Sequence, residues 1–93
     1  MFRATVETGV NGSVVRVAGR LTVEFVRDVE RLCLSAEPPV LIDASELRSC
    51  DADGLAFLAR VRDGTASVEG LSEYLLMRVR IEERRRGSSE THR

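Results

Sequence analysis

Apolar Phe2, Ala4 and Val6 alternate with polar Arg3, Thr5 and Glu7, the two-residue period of a strand with one face in water. Asn11-Gly12, set between Val10 and the run Val14-Val15-Arg16-Val17, predicts a hairpin that pairs the first two strands antiparallel. Gly19 closes the second strand. Thr22 can then cap a helix whose Val26, Val29 and Cys33, flanked by Phe25 and Leu32, recur at three- to four-residue spacing. Leu21 and Val26 fit a hydrophobic staple at its start, and Arg20, Glu24, Arg27, Asp28, Glu30 and Arg31 form its wet side. Pro38-Pro39 ends that region, because a residue before proline is pushed away from helical angles.

Val40-Leu41-Ile42 is apolar on both faces and predicts a central strand. Asp43 to Asp53 follows as a short acidic loop. A helix over about Asp53 to Asp63 uses Leu55, Leu58 and Val61 with small Ala56 and Ala59, and Gly64 stops it. Thr65 to Glu69 reads as a fourth strand, Gly70 turns the chain, and Ser72 caps a last helix with Leu75, Leu76, Val79 and Ile81 inward. After Ile81 no apolar residue remains to dock. The expected division is a folded domain over residues 1–81 and a flexible charged C-terminal tail over residues 82–93.

Ninety-three residues with 43% hydrophobic content suit one small globular domain. No stretch approaches the roughly 20 apolar residues needed to cross a bilayer, so no membrane insertion is expected. The alternating Met1 to Glu7 does not resemble a secretion signal, and a cytoplasmic location is the expectation. Every one of the 14 basic residues is arginine, which excludes chemistry that needs a lysine amine. Residues 78–93 carry a net +3 and the rest a net −4. An acidic body with a basic tail is not a nucleic-acid footprint.

Cys33 and Cys50 lie 17 positions apart, and the only histidine is His92. That spacing gives no zinc pattern and no Cys-His or Ser-His pair, so the thiols read as packing residues and no residue reads as catalytic. Asp43, Asp51 and Asp53 could gather around Mg²⁺, but a phosphoryl-transfer receiver of that kind needs a lysine. A calcium loop counted from Ser49 would place Arg60 where a bidentate glutamate belongs. No metal and no cofactor are expected. The stronger signal is Asp53 at the predicted start of a helix, where unpaired N–H groups and the helix dipole favour a negative charge.

The order β-β-α-β-α-β-α, with Gly19-x-Leu21 after strand two, Leu41-Ile42-Asp43-Ala44-Ser45 at strand three, Asp51-x-x-Gly54-Leu55 before helix two and Gly70-Leu71-Ser72-x-Tyr74-Leu75 entering the last helix, resembles the STAS family of anti-sigma-factor antagonists. The resemblance covers residues 2 to about 81. It implies an α/β fold in a single domain, a four-stranded mixed β-sheet with about three helices packed mainly on one face. It also implies a non-catalytic docking module whose partner is an anti-sigma factor resembling a serine kinase, or another component of a switching cascade. The partner-binding residues implied are Asp51, Ala52, Asp53, Gly54, Leu55 and Phe57. In signalling members the residue before the glycine is a phosphorylated Ser or Thr. Here it is Asp53 and the residue before it is Ala52, so the usual acceptor is missing and Ser49 is the nearest substitute. Asp53 brings one permanent charge where a phosphoserine brings about −1.5 to −2, and it either imitates the modified state or simply caps the helix. Some short members serve as accessory subunits of ABC-type lipid-transport complexes, which is the alternative role. A homodimer also stays open, since sheet edges can support self-association.

Overall fold

The computed structural model describes residues 1–64 and 66–91. Its elements run β1 (Phe2–Gly9), β2 (Gly12–Leu21), α1 (Val23–Ser35), β3 (Val40–Cys50), α2 (Ala52–Arg62), β4 (Ser67–Glu69) and α3 (Glu73–Thr91). The strands form one sheet in the order β1-β2-β3-β4. β1 and β2 pair antiparallel, whereas β2 with β3 and β3 with β4 pair parallel. This is the single-domain mixed α/β architecture that the resemblance implies.

Parallel neighbours need crossovers, and such crossovers are almost always right-handed. Because the sheet grows in one direction from β2 to β4, both crossover helices must fall on the same side. A single core records this: Val15, Val17, Ile42 and Ala44 from the sheet meet Val29 of α1, Leu55 and Leu58 of α2, and Leu75 and Val79 of α3. Phe2 of β1 stacks on Phe25 of α1 at 4.8 Å between ring centres. The opposite sheet face is left to water and is polar. There Arg16 Nη1 lies 2.6 Å from Glu7 Oε1, and Arg16 Nε lies 3.4 Å from Asp43 Oδ2.

Several boundaries differ from the sequence expectation. The hairpin turns on Val10-Asn11, because Gly9 pairs with Gly12, and the positive φ falls on Gly12 at +119°, where a β-branched valine would be strained. Asp43 to Cys50 is strand, not acidic loop. The parallel register slips between Arg16 and Ala18 and again between Gly19 and Arg20, so β3 carries extra residues opposite β2. Those bulges let Ala44 and Leu47 both reach the core despite their three-residue spacing. Arg20 belongs to β2 and not to the wet side of α1. Thr65 lies outside the described residues, and β4 covers only Ser67–Glu69. Ser72 caps α3, its Oγ accepting from Leu75 N at 3.2 Å. That helix runs on to Thr91, through arginines and glutamates that are good helix formers, with Arg62 Nε of α2 3.6 Å from Glu83 Oε2.

Leu58 is fully buried where α2 meets the sheet, while Leu34 of α1 is 85% exposed. Leu58→Ala is expected to cost about 3 kcal/mol in urea unfolding, and Leu34→Ala less than about 0.5 kcal/mol. Equal losses at the two positions would contradict this core.

Candidate functional site

β2 and β3 are parallel neighbours, so the helices that follow them begin side by side. Asp51 occupies that junction. Its backbone N–H donates to Leu21 O at 3.0 Å, extending the pairing of the strand ends, and its own carbonyl accepts from Leu55 N at 3.0 Å. Its side chain then serves both helices: Oδ1 accepts from Gly54 N at 2.8 Å in the first turn of α2, and Oδ2 accepts from Val23 N at 3.0 Å, the first residue of α1. Thr22 holds the N-cap position of α1, but its side chain makes no capping bond. The carboxylate that replaces it comes from 28 residues beyond Val23.

Gly54 is required by close approach. A Cβ there would stand 2.6 Å from Leu21 O, inside the distance at which backbone must shift. The motif Asp51-x-x-Gly54 therefore joins a cap to the one residue small enough to let α2 start against the end of β2. Burial alone would raise the Asp51 pKa, but the N–H groups of Gly54 and Val23, the positive charge of Arg20 and the N–H of Asp53 outweigh it and hold the carboxyl below its ordinary value.

Asp53 stands two residues beyond Asp51, in the first turn of α2, with an exposed side chain. It is not the cap. Among the described residues its carboxylate enters no hydrogen bond or ion pair, so the structural duty that the sequence left open between Asp53 as cap and Asp53 as free charge belongs to Asp51. Ala52 is exposed beside it, and Val23, 56% exposed, adds an apolar group from the start of α1. Gly54, Leu55 and Phe57, expected to contact a partner, are buried instead. Leu55 and Phe57 are 3% and 2% exposed, and both belong to the core cluster. They support the surface from beneath.

Asp43 does not join this group. Seven residues of strand separate it from Asp51, an extended span of roughly 25 Å, and it bonds locally, accepting from Ser45 N at 3.0 Å. That bond, assisted by the Ser45 hydroxyl and Arg16, lowers its pKa despite some burial. Among the described residues no three His, Cys, Asp or Glu side chains come together as a metal site. Ser49 is half-buried on β3, paired with Arg20 of β2. Cys33 and Cys50 are free and half-buried. Burial, with help from Asp51 and against Arg78, pushes the Cys50 thiol up to about 11, and burial followed by Glu30 raises Cys33, so both are protonated at neutral pH. His92 lies outside the described residues. Sequence reasoning missed Arg20 and Arg78, whose charges reach Asp51 and Cys50 respectively. Only the parallel pairing of β2 with β3 puts Arg20 there, and hairpin and helix patterns carry no trace of it.

Known proteins share this fold. The family described as "Mlab, STAS domain" matches residues 4–88, and the chain belongs to that STAS-domain family. Among curated proteins none matches the sequence. Of solved structures, an antisigma-factor antagonist STAS domain from Rhodobacter sphaeroides is similar at 24% identity and a TM-score of 0.58, over 75% of this chain and 87% of that one. An uncharacterized protein of the DUF3478 family with a SpoIIAA-like fold, from Shewanella loihica PV-4, is similar at 18% identity and a TM-score of 0.52, over 78% of this chain and 70% of that one. Both likenesses concern the fold. Among the described residues no helix is long and apolar enough to cross a membrane.

Asp51→Ala is expected to cost about 1–2 kcal/mol, since it removes the side-chain acceptor from two helix starts. The lowered pKa fixes the sign of the pH effect. The carboxylate's contribution is complete above the unfolded value near 3.8 and is lost as pH falls through the lower folded value. Urea midpoints measured from neutral to strongly acid pH should thus fall less steeply for Asp51→Ala than for wild type in the acid limb. Parallel acid limbs would refute the assignment.

Proposed function

We propose that the chain is a non-catalytic docking module of the anti-sigma-factor-antagonist type, with its contact surface at the amino end of α2. The observation that carries this reading is the division of labour between two aspartates. Asp51 holds the helix starts together, and Asp53 presents an exposed charge in the first turn with no structural bond to keep it there. A charge in that position is favoured by the helix dipole, and beside exposed Ala52 and Val23 it offers a small apolar patch with one fixed negative mark. Such a surface gives contact area and selects its partner by charge.

On this reading Asp53 stands in permanently for a regulatory phosphate. The partner is an anti-sigma factor of serine-kinase type, or another component of a switching cascade, that discriminates charged from uncharged residue 53. A second reading, the accessory STAS subunit of an ABC-type lipid-transport complex, is favoured by one observation: the matching family is described by Mlab and not by an antagonist. The two readings share the same surface and differ in the protein that covers it.

Titration calorimetry with candidate kinase-like and ATPase partners encoded near the gene tests both. Asp53→Ala is expected to change affinity at least about tenfold, a 1.4 kcal/mol effect, while its urea midpoint stays close to wild type. Asp53→Ser is expected to accept phosphate from the kinase-like partner and to change its binding when it does. Binding by Asp53→Ala that equals wild type for every partner would remove the charge from the recognition mechanism.

A further inference from the structure

β1 is an edge strand of eight residues with no proline and no bulge in its register against β2. Such an edge presents a row of unpaired backbone groups and is a template for a further strand unless something blunts it. Arg20 N donates to Met1 O at 3.0 Å, which fixes the phase of the ladder. In an antiparallel pair the bonded residues alternate, so the backbone groups of Arg3, Thr5 and Glu7 turn toward β2. Those of Phe2, Ala4, Val6 and Thr8 turn outward.

The charges on this strand are spaced symmetrically about Thr5. We infer that β1 is a self-association edge at which two copies of this chain pair antiparallel about a two-fold axis at Thr5, joining their sheets through Arg3 and Glu7. In that register Ala4 exchanges both backbone bonds with the partner's Val6, and Phe2 with the partner's Thr8, using the groups that already point outward. Residues directly opposite share a face, so Arg3 stands against the partner's Glu7 on the polar side of the sheet. There Glu7 already lies 2.6 Å from Arg16, and the new arginine extends a chain of alternating charge that ends at Asp43. On the core side, Val6, 37% exposed, is covered by the partner's Ala4. Axes at Arg3 or Glu7 set like charges opposite each other, and axes at Ala4 or Val6 set Arg3 or Glu7 against Thr5, so only the axis at Thr5 opposes unlike charges. A closed two-fold pair also consumes the edge and does not propagate. This inference is independent of the proposed docking role, since it uses only residues of β1 and none of those at the start of α2.

Sedimentation velocity across a concentration series tests it. Wild type is expected to show a monomer–dimer equilibrium. Arg3→Glu places two acids on each edge and Glu7→Arg two bases, and each is expected to raise the dimer dissociation constant at least about tenfold. An equimolar mixture of the two variants is expected to regain the dimer, because every opposing pair is then of opposite sign. Val6→Pro removes an outward N–H without breaking a bond to β2 and is expected to give a folded monomer, checked by an unchanged urea midpoint. Wild type that remains monomeric throughout, or a dimer indifferent to these substitutions and to mixing, would overturn the proposal.

Discussion

The carboxylate of Asp51 lies between two helix amino ends that the topology forces together. Each such end carries unpaired N–H groups and a partial positive charge. Two of them side by side, at the ends of adjacent parallel strands, would repel each other and leave N–H donors without protein acceptors. One aspartate with an oxygen for each helix, at 2.8 Å and 3.0 Å, answers both problems at once. Gly54 is coupled to it, because α2 can begin this close to Leu21 O only where no side chain intervenes. The rest of the core follows from that start: it sets the direction of α2, and so which of its residues face the sheet.

One-sidedness is the second consequence of the topology. Helices on a single face leave the other face of the sheet wet, and the sequence answers with Thr5, Glu7, Arg16, Asp43, Ser45 and Glu69 at its outward positions. An exposed ion pair is worth little by itself. The value of the Glu7, Arg16 and Asp43 series lies in register: it spans three strands in the one alignment that also sends Val15, Val17 and Ile42 into the core, and a one-residue slip would invert both sets.

Most of this architecture was legible in the chain, because its elements obey their own periods. β1 alternates cleanly, α1 and α2 keep helical spacing, and Ser72 stands where it caps. The second half of β3 was not legible. Bulges break the two-residue period, so Ala44 and Leu47 are both buried while the polar residues between them imitate a loop. The hairpin tip was displaced by one residue because the signal Asn11-Gly12 names a residue able to take positive φ, and it does not say whether that residue sits in the turn or just after it. At the candidate site, the sequence pointed to the start of α2 and left open whether Asp53 caps it, and the cap is Asp51. Asp51 and Asp53 are two residues apart and chemically identical, and what separates them is a bond to Val23 N that exists only once β2 and β3 lie parallel. Leu55 and Phe57 were named as partner-binding residues for a related reason, since a motif shared with a family marks the neighbourhood of a site without marking which residues face out.

That separation has a mechanistic consequence. If residue 53 were the cap, any change of its charge, by modification or by substitution, would alter the start of α2 and therefore the packing beneath it. Recognition and stability would then move together. With Asp51 holding the bonds, residue 53 lies within the same dipole field but outside the hydrogen-bond scheme, so a hydroxyl, a phosphate ester or a carboxylate can occupy it while Gly54, Leu55 and Phe57 keep their places. On the proposed docking reading, an aspartate in place of a hydroxyl would change what a partner meets and leave the scaffold that presents it intact. The hydrogen bonds of Asp51 let residue 53 vary in charge with no compensating change in the core.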